Sequence, residues 1–181
     1  MGNLRYGDYI MDNFIIDYKI SSNVSTDIRH CWDIIGCFRI KFNNNILTKY
    51  QNNPSDDGYR GEHIFFDIEE WMYAIKKLIV VGNAEFGIVD ATTAFKFMFH
   101  NENILLLIDT GNKERNKLYL GGGKGYPIPA KLFLIESVAF GHRFFNDIES
   151  RYHNIDPSEI KGFKQALFEA DLCINQYLDA Q

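Results

Sequence analysis

The stretch from Asp67 to Leu120 constrains this chain most, because it carries two hydrophobic periods in succession. Ile68, Trp71, Met72, Ile75, Leu78 and Ile79 recur at i, i+3, i+4, i+7, i+10 and i+11, which draws one apolar stripe along a helix. Asp67 is placed to cap that helix, with Glu70 three residues on as the reciprocal member of a capping box. Glu69 and Glu70 early and Lys76 and Lys77 late follow the sign of the helix dipole, and Gly82 with Asn83 supplies the stop. The period then changes to two. Glu85–Val89, Ala94–Phe99, Ile104–Ile108 and Asn116–Leu120 predict strands, with His100-Asn101-Glu102-Asn103 turning between the second and third. Short strands joined by short turns predict an antiparallel meander, not parallel βαβ units.

The flanks extend the same plan. Phe14, Ile16, Tyr18 and Ile20 alternate with Ile15, Asp17 and Lys19, a strand with one buried face. After a polar loop at Ser21–Thr26, Asp27 is placed to cap a helical turn carrying Ile28, Cys31, Trp32 and Ile35. Phe38, Ile40 and Phe42 alternate again, Asn43-Asn44-Asn45 turns, and Ile46–Tyr50 returns as a hairpin. Gln51–His63 is the longest stretch without apolar periodicity and is rich in turn formers. Loops of that length inside a domain are contact surfaces or mobile segments. Downstream, Gly121–Gly125 is a glycine-rich joint ahead of Pro127 and Pro129. Ala130–Ser150 predicts a helix with Leu134, Val138, Gly141, Phe145 and Ile148 on one stripe and Phe133, Phe140 and Phe144 on the next, so it must be covered on two sides. The last helix begins at Asp156, with Pro157 in its first turn and Glu159 completing a capping box. Its apolar face runs through Ile160, Phe163, Leu167, Ala170, Ile174 and Leu178, and Gly162 costs it about 1 kcal/mol against alanine if exposed. No repeat or linker divides residues 1–181, which predict a single α+β domain: an antiparallel hairpin and meander packed by a central amphipathic helix and two C-terminal helices.

Length and charge bound the function. A chain of 181 residues with 15 Phe and 10 Tyr can bury a substantial core. Its net charge of −5, from 19 basic and 24 acidic residues, disfavours nucleic acid, which demands clustered Lys and Arg. The three cysteines, Cys31, Cys37 and Cys173, are an odd set with no C-x-x-C pair and make no disulfide framework. Met1–Ile20 carries Asp8, Asp12 and Asp17 and no basic segment before an apolar one, so no signal peptide is expected. No apolar run reaches the length of a membrane span. The expectation is a cytoplasmic protein with neither a nucleic-acid nor a membrane partner, in which the Asn23-Val24-Ser25 sequon has no meaning.

Familiar chemical motifs fail on spacing. In Gly121-Gly122-Gly123-Lys124-Gly125 the lysine is followed by glycine, so the hydroxyl that a Walker loop places on Mg²⁺ is missing, and Pro127 and Pro129 interrupt any dinucleotide fingerprint. His30, His63, His100, His142 and His153 form no H-x-x-x-H pair. His30 and Cys31 with Cys37 lack the second pair of ligands that a structural zinc requires. Serines stand in loops or caps rather than on a nucleophile elbow. Asp56-Asp57 and Glu69-Glu70 are sequence neighbours that point apart on a helix, and Asp56-Asp57-Gly58 lacks the rest of a calcium loop. No catalytic residue, metal ligand or cofactor is expected.

The run Phe66-Asp67-Ile68-Glu69-Glu70-Trp71-Met72-Tyr73-Ala74-Ile75, with hairpins before it and strands and helices after it, resembles the small cytoplasmic immunity proteins of bacterial polymorphic-toxin and contact-dependent growth-inhibition systems. The resemblance spans roughly Phe38 to Leu120. It implies a non-enzymatic protein that binds the C-terminal domain of one cognate toxin, often a nuclease, and blocks it. No catalytic residues transfer. The acidic balance agrees in sign, since a nuclease is basic where it meets phosphate. Candidate anchors are Asp56, Asp57, Tyr59, Arg60 and Glu62 in the long loop, with Glu69 and Glu70 on the adjoining helix; Tyr and Arg are favoured hot-spot types. The alternative is a small-molecule-binding or enzymatic α+β domain with a pocket near His142, Glu136 and Gly121–Gly125. An adaptor in a larger bacterial assembly is a third reading.

Overall fold

Phe14, Ile16, Phe38 and Ile40 turn to one side because alternate strand residues share a face. In the computed structural model, which describes residues 13–22, 25–89 and 91–180, they lie on β1 (Phe14–Ile20) and β2 (Gly36–Phe42). Most of the acidic leader segment, and Asn23 and Val24 of the sequon, lie outside the described residues. Strands β1 and β2 pair antiparallel, Phe14 opposite Phe42 and Ile20 opposite Gly36. Between them the chain makes one 3-10 turn at Cys31–Asp33, which Asp27 does not cap; Asp27 accepts from the Asn154 side-chain amide at 2.7 Å instead. A two-residue turn with Asn43 at φ 53° leads into β3, which is only Asn45–Ile46 rather than the expected Ile46–Tyr50. Buried Thr48 explains the early end: its Oγ1 accepts from the Ile40 N–H at 3.2 Å, where a longer strand would have supplied a carbonyl.

The central helix, α1 (Ile64–Val81), starts three residues before the expected cap. Asp67 is therefore not its N-cap. His63 holds that position, and Asp67 is fully buried inside the first turn, its Oδ1 accepting from the Val89 N–H at 2.9 Å. Gly61, at φ 93°, makes room for this carboxylate, since a Cβ there would overlap Oδ2. At the other end Gly82 is left-handed and donates to the Leu78 carbonyl at 2.8 Å, the expected stop. It feeds directly into β4 (Asn83–Gly87), two residues ahead of the predicted Glu85–Val89. Strands β5 (Ala94–His100) and β6 (Asn103–Asp109) follow as a meander.

Asn116–Leu120 is not a strand. It begins in a one-turn helix, α2 (Lys113–Asn116), capped by Asn112, and continues as turns into Gly121–Gly125. The fourth strand of this sheet is β7 (Tyr126–Pro129), which was not among the expected strands and carries Pro127 and Pro129. They fit because β7 is an edge: Ala130 donates to the Glu102 carbonyl at 2.9 Å, and by alternation Pro127 and Pro129 occupy the positions that face away from β6. Two C-terminal helices complete the chain, α3 (Ala130–Arg151) and α4 (Pro157–Asp179). Asp156 caps α4 by accepting from the Ser158 N–H at 2.8 Å.

The architecture is a single α+β domain with two antiparallel sheets, β1-β2-β3 from the hairpin and β4-β5-β6-β7 from the meander. Trp71 of α1 sits where they converge. Its ring lies 5.7 Å from Phe38, 5.2 Å from Phe97 and 6.1 Å from Phe133, so a single indole ties both sheets to α3. The girth of α3 is covered as its composition demands: Phe133 meets Phe14 at 5.3 Å, and Phe145 meets Phe163 of α4 at 5.4 Å.

Candidate functional site

The long loop is held by its own charges. Asp56 accepts from the Tyr50 N–H at 2.8 Å, the Gly58 N–H at 2.9 Å and the Arg60 guanidinium at 2.6 Å. Burial alone would raise its pKa, but these donors outweigh it and hold that pKa at about 2. The Arg60 guanidinium lies 4.9 Å from the centre of the Tyr50 ring, which packs on buried Tyr119 at 4.7 Å. Arg60 also exchanges backbone bonds with Phe38 at 2.8 and 2.9 Å, extending the first sheet by one bridge. Asp56 and Arg60 thus spend their charges on each other.

Asp57 and Tyr59 stand elsewhere, over the outer face of the first sheet. The Tyr59 hydroxyl donates to Asp17 at 3.0 Å, while Lys19 Nζ lies 3.8 Å from its ring centre and the Arg39 guanidinium 4.5 Å. Burial, then Asp17, pushes the Tyr59 phenol up to about 12. Asp57 is exposed and meets Lys19 at 3.4 Å.

From Tyr59 the chain runs alongside β2 to a second cluster at the start of α1. The Glu62 carbonyl accepts from the Gly36 N–H at 2.8 Å, and there the exposed indole of Trp32 rests 4.3 Å from the Phe66 ring and 4.9 Å from His63. Trp32 is 50% exposed. Three exposed carboxylates border it: Asp33 is its neighbour in sequence, Glu62 precedes His63, and Glu70 stands one turn on from Phe66. None of these three carboxylates has an ion-pair partner among the described residues. Glu69 is half-buried where α1 meets α4, its carboxyl pushed up by burial and by the charge of Glu70. The seven predicted anchors therefore divide. Asp56 and Arg60 turn inward, Asp57 and Tyr59 share the first sheet's face with basic residues, and Glu62 and Glu70 join Trp32 with Glu69 behind them.

Trp32 was not singled out because the sequence groups it with Ile28, Cys31 and Ile35 on one helical turn. The segment turns as a 3-10 helix instead, burying Cys31 and Ile34 and leaving the indole outside. Glu159 holds it there. Rather than closing a capping box on α4, Glu159 accepts from the Cys31 N–H at 2.6 Å and lies 2.7 Å from His30 Nδ1.

No family model, curated protein or solved structure matches this chain. The residues of the alternative pocket lie on separate faces. His142 is exposed and faces Asp171 of α4 at 3.2 Å, Glu136 is bound to β1 and Arg143, and Gly125 packs against Leu105 of β6. Phe140 and Phe144 fill the helix flank between them with no exposure. Among the described residues no three His, Cys, Asp or Glu side chains are disposed to hold a metal ion, and no helix is long and apolar enough to cross a membrane.

Proposed function

We propose that this chain is a cytoplasmic, non-enzymatic immunity protein that neutralises a cognate toxin domain by protein–protein contact, with Trp32 as the anchor. One observation carries the reading: an exposed indole, already packed against Phe66 and edge-on to His63 and bordered by Asp33, Glu62 and Glu70. Tryptophan is the residue most enriched among binding hot spots, and one already packed on its neighbours loses little entropy on docking. Carboxylates with no ion-pair partner among the described residues leave their field to attract a basic surface, which raises the association rate and selects the partner. A nuclease active site, lined with Lys and Arg for phosphate, is such a surface. Asp57 and Tyr59 form the flank of the same contact, joined to it by residues 59–63.

The test is to mix the purified protein with the toxin domain encoded beside it and follow the toxin's cleavage activity. Stoichiometric inhibition, weakened by added salt, is the expected outcome. Undiminished cleavage at excess protein, with no complex by size-exclusion chromatography, removes the proposal.

A further inference from the structure

The second sheet has a face that no helix among the described residues covers. Alternation sends Phe86, Phe95, Phe97, Ile104 and Leu106 inward against the helices, and it sends Met98, Leu105 and Leu107 outward. Met98 lies directly opposite Leu105, and Leu107 opposite Lys96, so the three apolar side chains form one strip across β5 and β6. Met98 is 51% exposed. A cleft of about 310 Å³ runs along this strip, with Lys77 of α1 at the β4 side and Lys124 of the glycine-rich loop on its lining as well. A second cleft shares Leu107 and continues to Lys113 and Lys117.

The charges on this face are unequal. Its carboxylates, Glu85 and Asp109, are both engaged by Lys96, at 3.6 and 2.7 Å, and Glu114 is engaged by Lys117 at 2.8 Å. Lys77, Lys113 and Lys124 have no carboxylate at ion-pair distance among the described residues. A chain of net charge −5 thus presents an apolar strip flanked by ammonium groups with no carboxylate at ion-pair distance among the described residues.

We propose that this face docks a second protein through a segment in which Asp or Glu alternate with Leu, Met or Phe, independently of the Trp32 surface. Charge complementarity names the occupant. The strip takes the apolar side chains, and Lys77 and Lys124 take the carboxylates on either side. A nucleic acid fits less well, because two carboxylates, Glu85 and Asp109, share the face with the lysines. The arrangement gives one small domain an acidic aromatic surface and a basic aliphatic one, the layout of a protein that holds two partners.

The probe is a short synthetic peptide of alternating glutamate and leucine, with its lysine-for-glutamate counterpart and an oligothymidylate as controls. They are titrated into the full chain while amide resonances are followed by NMR. The acidic peptide is expected to shift Lys96, Met98, Leu105, Leu107 and Lys124, with little effect from either control. The Lys77→Glu/Lys124→Glu variant and the Met98→Glu variant, each with an unchanged melting temperature, should bind it at least about tenfold more weakly. Four results overturn the proposal: no shifts, equal binding of the basic peptide, stronger binding of the oligothymidylate, or concentration-dependent self-association that protects this face without peptide.

Discussion

Asp56 and Arg60 meet with side chains only 8% and 16% exposed, so removing either leaves the other charge stranded. Arg60→Met should cost about 3–5 kcal/mol, because a buried carboxylate without its counter-charge is strongly destabilising. Adding Asp56→Asn should recover part of that loss. Urea midpoints at constant m-value measure both, and an Arg60→Met variant within about 1 kcal/mol of the parent would show the pair to be ornamental. The same carboxyl sets an acid limb. With its folded value near 2 against about 3.9 unfolded, it stabilises the fold above about pH 4, and that contribution fades as pH falls through about 2. Asp56→Asn should flatten the stability profile across this window by about 2 kcal/mol. Parallel acid limbs for parent and variant would contradict it.

Elements are held at their margins by specific devices. The outer edge of β1 is clamped by α3, where Glu136 accepts from the Ile16 N–H at 2.9 Å and Arg143 donates to the Ile16 carbonyl at 3.0 Å. Prolines blunt β7, and Asp67 takes the outward N–H just beyond β4. Two glycines make a paired prediction about packing. A Cβ at Gly36 would strike the Lys19 carbonyl on the paired strand, whereas at Gly162 of α4 it would meet only the tip of Glu69, which can swing away. Gly36→Ala should therefore cost about 2 kcal/mol or more, while Gly162→Ala should be neutral or slightly stabilising through helix propensity. Thermal melts of the two variants check this, and equal losses would refute it. Long periodic elements were legible in the sequence: α1, α3, α4 and the β5–β6 hairpin lie close to where their apolar spacing put them. What periodicity could not convey was where a polar side chain replaces the backbone. Thr48 ends β3, and Asp67 and Glu159 look like caps but bond to distant segments, because capping spacing records a carboxylate's position and not its direction.

The whole molecule gathers aromatic rings and exposed carboxylates at one place and lysines around an aliphatic strip at another. Half of this was visible beforehand: the loop's ending and the paired glutamates of α1 were singled out from composition and turn chemistry. Trp32 was not, because an exposed indole among buried neighbours looks the same in sequence as a buried one. The lysine-flanked face was hidden too, since its residues come from α1, α2, three strands and the glycine-rich loop. The most direct test of action through the Trp32 surface is calorimetric titration of the cognate toxin domain into the wild-type protein and into Trp32→Ala. The expected result is a loss of about 2 kcal/mol or more in binding, roughly thirtyfold in Kd, with the melting temperature unmoved. A Kd unchanged by Trp32→Ala would place the contact elsewhere and contradict the account.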